Sequence, residues 1–120
     1  MKYVSAPYSS ALDKDQRMII VTTYSATCLL RDEHVICPLT MGHNFIKTSV
    51  KLPFQSEWWL DWCINLLAGC DEMDVLMLPG WDTSIGVTAE VEYAQQNGIK
   101  INYIKSEDLL KPLSSQPQRY

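Results

Sequence analysis

Apolar residues along the chain fall into short runs separated by longer amphipathic stretches. Lys2–Ala6 is rich in β-formers and stops at Pro7, which predicts a first strand and then a loop over Pro7–Ser10. Within Asp13–Arg31, the β-branched run Met18–Tyr24 would suit a strand on propensity alone. The length of the segment, its lack of Gly and Pro, its acidic start and Arg31 near its end predict a helix instead. His34–Pro38 predicts a second short strand stopped by proline, and Leu39–Pro53 carries mixed signals and reads as a long loop. Gln55–Gly69 repeats Trp58, Trp59, Trp62, Leu66 and Leu67 at helical spacing and closes on glycine, which predicts a helix whose tryptophans pack the core. Asp74–Leu78 is a continuous apolar run of the kind found inside a parallel sheet. Pro79–Thr83 then predicts a turn, with Ser84 as N-cap of a helix over Ile85–Gln96 that Asn97 and Gly98 end. Ile99–Ile104 predicts the last strand and Ser106–Leu110 a short capped helix.

Strands alternating with helices predict an α/β fold. The expectation is a three-layer Rossmann/flavodoxin-like domain with a mainly parallel sheet of about four to five strands. In such sheets a ligand lies beyond the carboxyl ends of the strands, where the strand order switches. The loops beginning at Pro7, Pro38 and Pro79 are therefore the places to look for chemistry.

The 120 residues fit one domain, over residues 1–112, followed by a polar C-terminal tail over 113–120. A net charge of −4 argues against binding a nucleic-acid polymer, which needs a basic face. It leaves room for a small phosphorylated ligand, because a helix N-terminus and one arginine can hold a phosphate. Cys28, Cys37, Cys63 and Cys70 form no Cys-x-x-Cys pair, and His34 and His43 do not stand at zinc-ligand spacing to them, so no metal or cofactor is expected. With no signal peptide and no apolar run of membrane-spanning length, the expected location is cytoplasmic (host cytoplasm if phage-encoded).

On the helix beginning at Ser84, Val87, Val91 and Ala94 share one face. At about 100° per residue Glu90 lies at the border of that face, whereas Glu92 points away from it. A partly desolvated carboxylate near a helix N-terminus suits a nucleophile or general base, the alternative being a solvated surface group. Exposed N–H groups and the hydroxyl at Ser84–Gly86 suit a phosphate or a ribose hydroxyl, or merely cap the helix. Asp61, Asp71, Asp74 and Asp82 are candidate acids beside Glu90, and Trp81, next to Gly80 in a turn, is a candidate for stacking on a base. His34 and His43 are assigned no catalytic role.

Several motifs stand in a familiar order: Tyr3–Ser9, Arg17, Cys70–Glu72, Leu78–Trp81 and the Ser-x-Gly-x-x-x-Glu element Ser84–Glu90. The set resembles the nucleoside 2-deoxyribosyltransferase superfamily, closest to a compact branch common in phages and bacteria. Its last element is similar to that of the deoxynucleoside 5′-monophosphate N-glycosidases. The resemblance implies cleavage or transfer at the N-glycosidic bond of a nucleoside or nucleotide through a glutamate, by the logic of retaining glycosidases. It implies Glu90 as nucleophile, Tyr3 beside it, Asp61 as acid, and Pro7, Tyr8, Ser9, Arg17, Gly80, Trp81, Ser84 and Gly86 around the ligand. The spacing of Asp61 to Asp71 is longer than the family pattern. The first loop lacks the arginine of the monophosphate hydrolases, so either Arg17 takes its place or the ligand is not a monophosphate. The resemblance also implies a homo-oligomer, and in the transferases a C-terminal tyrosine, here Tyr120, completes a neighbour's site. Two other readings stand beside the enzyme. One is a non-catalytic module that binds or sequesters a nucleotide or ADP-ribose-like ligand, and the other is a structural domain without a ligand.

Overall fold

The computed structural model describes residues 1–109. Four strands, β1 (Lys2–Ser5), β2 (Val35–Ile36), β3 (Glu72–Met77) and β4 (Lys100–Lys105), form one sheet in the order β2-β1-β3-β4. Every neighbouring pair is parallel, with Tyr3 beside Ile36 on one side and Met73 on the other, and Val75 beside Tyr103. Four helices accompany the strands: α1 (Lys14–Leu30), α2 (Pro38–Ile46), α3 (Ser56–Leu67) and α4 (Ile85–Gln96). The result is the three-layer α/β arrangement of Rossmann and flavodoxin-like folds. The chain leaves β1 toward β2 on one side and later returns to β3 on the other, so the switch point lies at the carboxyl ends of β1 and β3.

The two-residue alternation of the inner strands sorts their side chains into two layers. Val4, Ala6, Leu76 and Leu78 pack with Met18, Val21, Tyr24 and Cys28 of α1. Tyr3, Met73 and Val75 pack with Leu67 of α3 and with Val87 and Ala94 of α4. The β-branched run in α1 is helical because its apolar members recur at helical spacing: Met18, Val21, Tyr24 and Cys28 are buried together. Asp13 caps that helix by accepting from the Gln16 N–H.

Asp74 is the polar residue that β3 buries fully. The Tyr24 hydroxyl (2.5 Å) and the Asn102 amide (2.9 Å) donate to it, and the Lys2 ammonium stands 3.2 Å away. A buried carboxylate survives only with such a set of partners.

Several sequence expectations are corrected. Leu39–Pro53 is not a loop throughout, because α2 occupies Pro38–Ile46. Pro38 does not simply stop the strand before it: it stands in the first turn of α2, where a missing N–H costs nothing. The tryptophans of α3 do not fill the core. Trp58 is exposed and Trp59 and Trp62 are half-buried, because the helix seats Leu67 against the sheet and turns its indoles toward α2. There they form an aromatic cluster, with Phe54 stacked on Trp58 at 3.7 Å and Trp59 edge-on to Trp62 at 5.5 Å. An added Cβ at Gly42 would lie 3.3 Å from the Trp59 ring, so glycine there lets α2 approach α3 closely. Strand β3 begins two residues before Asp74, where pairing of Glu72 with Lys100 recruits polar residues into the ladder. The final helix shrinks to a single 3₁₀ turn, Ser106–Asp108, while Leu110, Tyr120 and the polar tail lie outside the described residues. No described helix is long and apolar enough to cross a membrane.

Candidate active site

The turn after β3 delivers the chain to Ser84, whose hydroxyl caps α4 by accepting from the Val87 N–H at 3.2 Å. One helical stripe then buries Val87, Glu90 and Ala94, and Glu92 is exposed. Glu90 therefore points at the sheet beneath the carboxyl end of β1. There Ser5 donates to its Oε1 at 2.6 Å, and the Tyr3 hydroxyl donates to its Oε2. Both donors come from the same face of β1, two residues apart, which is why they reach one carboxylate.

No salt bridge reaches Glu90 among the described residues. Burial pushes its carboxyl above the usual value, against the opposing pull of the Ser5 and Tyr3 hydrogen bonds. Burial first, and then the neighbouring Glu90 charge, hold the Tyr3 phenol well above its ordinary value, so Tyr3 remains a donor. The Cys63 thiol beside them is pushed up to about 12 by burial and by Glu90. The chemistry available is that of a carboxylate gripped by two neutral donors in a dry setting.

Glu90 lies on the wall of a cavity of about 530 Å³, a volume typical of small-molecule sites. The loop after β1 contributes Tyr8 and Ser9, and α2 contributes Leu39, Gly42, His43 and Ile46. Trp59, Leu60 and Cys63 come from α3, and Ser84, Gly86 and Val87 from the start of α4. The cavity thus opens at the carboxyl edge of the sheet, beside the switch point.

Of the residues singled out from sequence, Tyr3, Tyr8, Ser9, Ser84, Gly86 and Glu90 all line this cavity. Arg17 stands behind the wall and ties two loops together, donating to the carbonyls of Pro7 (2.9 Å) and Pro79 (3.4 Å). Gly80 has φ +91°, and a Cβ there would meet the Ser10 hydroxyl at 2.3 Å. Trp81 packs on Tyr103 at 5.7 Å, outside the cavity lining. The four aspartates are not brought to Glu90. Asp61 and Asp82 are exposed, Asp71 bonds the N-terminal ammonium at 3.2 Å, and Asp74 serves the opposite face of the sheet.

Sequence reasoning missed five polar groups of the lining: Ser5, Lys14, His43, Ser56 and Glu57. The signal for His43 was present as the helical spacing of Leu39, Gly42, His43 and Ile46. It was hidden by Pro38, by a glycine on the inner face, and by the polar Thr40 and Asn44 between. Among the described residues no three His, Cys, Asp or Glu side chains cluster as a metal site.

The sequence matches the family described as Domain of unknown function (DUF1937) over residues 1–106. This chain belongs to DUF1937. The match runs from β1 through the end of β4, so the cavity and every residue lining it fall inside the DUF1937 domain. The chain has no match among curated proteins.

Proposed function

We propose that this DUF1937 domain cleaves or transfers the N-glycosidic bond of a nucleoside or nucleotide, deoxy or ribo, with Glu90 as the nucleophile. The observation that carries this reading is the buried Glu90 carboxylate, held by Ser5 and Tyr3 at the wall of a ligand-sized cavity. Two hydroxyl donors fix the direction of the carboxylate and leave its ionised form usable, while burial keeps water from solvating it. The carboxylate attacks the anomeric carbon as the base departs, an ester holds the sugar, and water or a second base releases it. The capped start of α4, with Gly86 on the lining, offers N–H groups to the sugar or to a phosphate. The order of motifs shared with the nucleoside 2-deoxyribosyltransferase superfamily supports the same reading, and the reaction belongs in the cytoplasm with the nucleotide pool.

The test is a panel of nucleosides and nucleotides with free base followed by chromatography. Wild-type protein releases base from at least one of them, and Glu90→Ala abolishes the release. Unchanged turnover in Glu90→Ala overturns the mechanism.

The exposed position of Asp61, away from the cavity, favours a second reading, a binding module that holds such a ligand without cleaving it. Calorimetry separates the two, since saturable binding with no base released supports the module. A homo-oligomer fits the exposed apolar side chains Phe45, Ile46, Val50, Phe54 and Trp58. Light scattering after gel filtration, giving more than one chain per particle, is the expected result.

A further inference from the structure

Departure of a neutral base from a glycosidic carbon is assisted by a proton placed on a ring nitrogen of the base, and Asp61, Asp71, Asp74 and Asp82 do not line the cavity. The cavity holds another proton-bearing group. Tyr8, in the loop after β1, places its hydroxyl 2.8 Å from Nδ1 of His43 on α2, and both side chains line the cavity. The other ring nitrogen, Nε2, lies 2.7 Å from the Asp15 carboxylate on α1. Lys47, at the end of α2, stands 2.6 Å from the same Asp15 oxygen. Hydrogen bonds from Lys47 and His43 hold the Asp15 carboxyl below its usual range, so it stays an acceptor and Nε2 carries a proton toward it. Three elements thus converge on a carboxylate–imidazole–phenol chain that ends in the cavity containing Glu90.

We propose that Tyr8 is the acid that protonates the departing base, and that His43 and Asp15 are its positioning residues. This rests on the glycosidic reading of the site. With Nε2–H given to Asp15, the state of Nδ1 decides what Tyr8 can do. In the imidazolium, Nδ1–H donates to the Tyr8 oxygen and leaves the Tyr8 O–H free for the ligand. In the neutral ring, Nδ1 accepts that O–H and Tyr8 has no proton to offer. The other charges around this pair are Asp15, Lys47 and Lys14, whose ammonium lies 5.6 Å from the centre of the Tyr8 ring.

The proton count closes. As the C–N bond breaks, its electron pair withdraws into the base and Glu90 bonds to the anomeric carbon. Tyr8 gives its proton to the base nitrogen and takes the Nδ1 proton of His43. In the second half, water attacks the anomeric carbon, the ester pair returns to Glu90, and the water proton passes through Tyr8 back to His43. When a second base replaces water, its N–H proton takes the same path.

The test compares two substrates: a normal purine nucleoside, and the same nucleoside methylated at N7, whose cationic base leaves without protonation. Tyr8→Phe lowers kcat/KM on the normal nucleoside by about a hundredfold or more, and on the methylated one by less than about tenfold. His43→Gln and Asp15→Asn lower kcat with little change in KM. Equal losses on both substrates, or full activity of Tyr8→Phe beside an inactive Glu90→Ala, overturn Tyr8 as acid and leave the nucleophile standing. So does a leaving-group dependence that appears in Glu57→Gln instead, since Glu57 also lines the cavity. A wild-type protein that releases no base from these two or from any nucleoside or nucleotide of the panel overturns this proposal and the glycosidic reading together.

Discussion

Glu90 is held by two hydroxyl groups and opposed by its own burial. Because burial lifts its folded-state value above the ordinary 4.5, the native protein keeps a proton that the unfolded chain gives up. Folding stability from this group is therefore full below about 4.5 and falls as pH rises through the folded-state value. Glu90→Gln keeps the shape and removes the charge. We expect a melting temperature above wild type at pH 7, with the gain vanishing near pH 4, in thermal melts across that range. Tyr3→Phe withdraws one of the two donors, and kcat for base release should fall by roughly tenfold to a hundredfold with the fold intact. At this scale helical periodicity alone distinguished Glu90 from Glu92. It could not supply Ser5, because alternation along β1 says which face a residue takes and not what another segment places there.

The start of α4 separates what the fold needs from what a ligand needs. A Cβ at Gly86 would meet only the Ser84 hydroxyl, at 3.9 Å, so the fold has room for a side chain there. Alanine is favoured over glycine in a helix by up to about 1 kcal/mol. Gly86→Ala should keep or raise the melting temperature, yet lower kcat/KM for base release by tenfold or more as the methyl group enters the cavity. Loss of stability together with activity would instead make Gly86 a structural residue. Gly80 is the opposite case. Its positive φ and its contact with Ser10 make Gly80→Ala destabilising, by roughly 1–3 kcal/mol in denaturant titration. The boundaries of α4 were legible because a serine cap, an apolar stripe and an Asn-Gly end agree. Helix α2 was not, because a proline that opens a helix and one that ends a strand look alike until β2 is known to stop at Ile36.

For the molecule as a whole, alternation of strand and helix signals predicted a parallel sheet, but the order β2-β1-β3-β4 depends on pairings between distant segments. Nothing local announces that Lys2, Tyr24, Asp74 and Asn102 meet under α1. Asp74→Ala leaves the buried Tyr24 hydroxyl without its acceptor, while Lys2 keeps Glu33 at 2.9 Å, and should cost about 1–3 kcal/mol in chemical denaturation. The donors to Glu90 precede it by 87 and 85 residues. At typical rates of synthesis, Tyr3 and Ser5 are added to the chain roughly 4 to 17 seconds before Glu90. Until Met77 is added, which is most of that interval, β1, the strand that will sit inside the sheet, has no complete β3 to lie against. A nascent chain arrested before α4 should be sensitive to protease and bind chaperones, and each finished molecule should gain its cavity only in the last steps of folding.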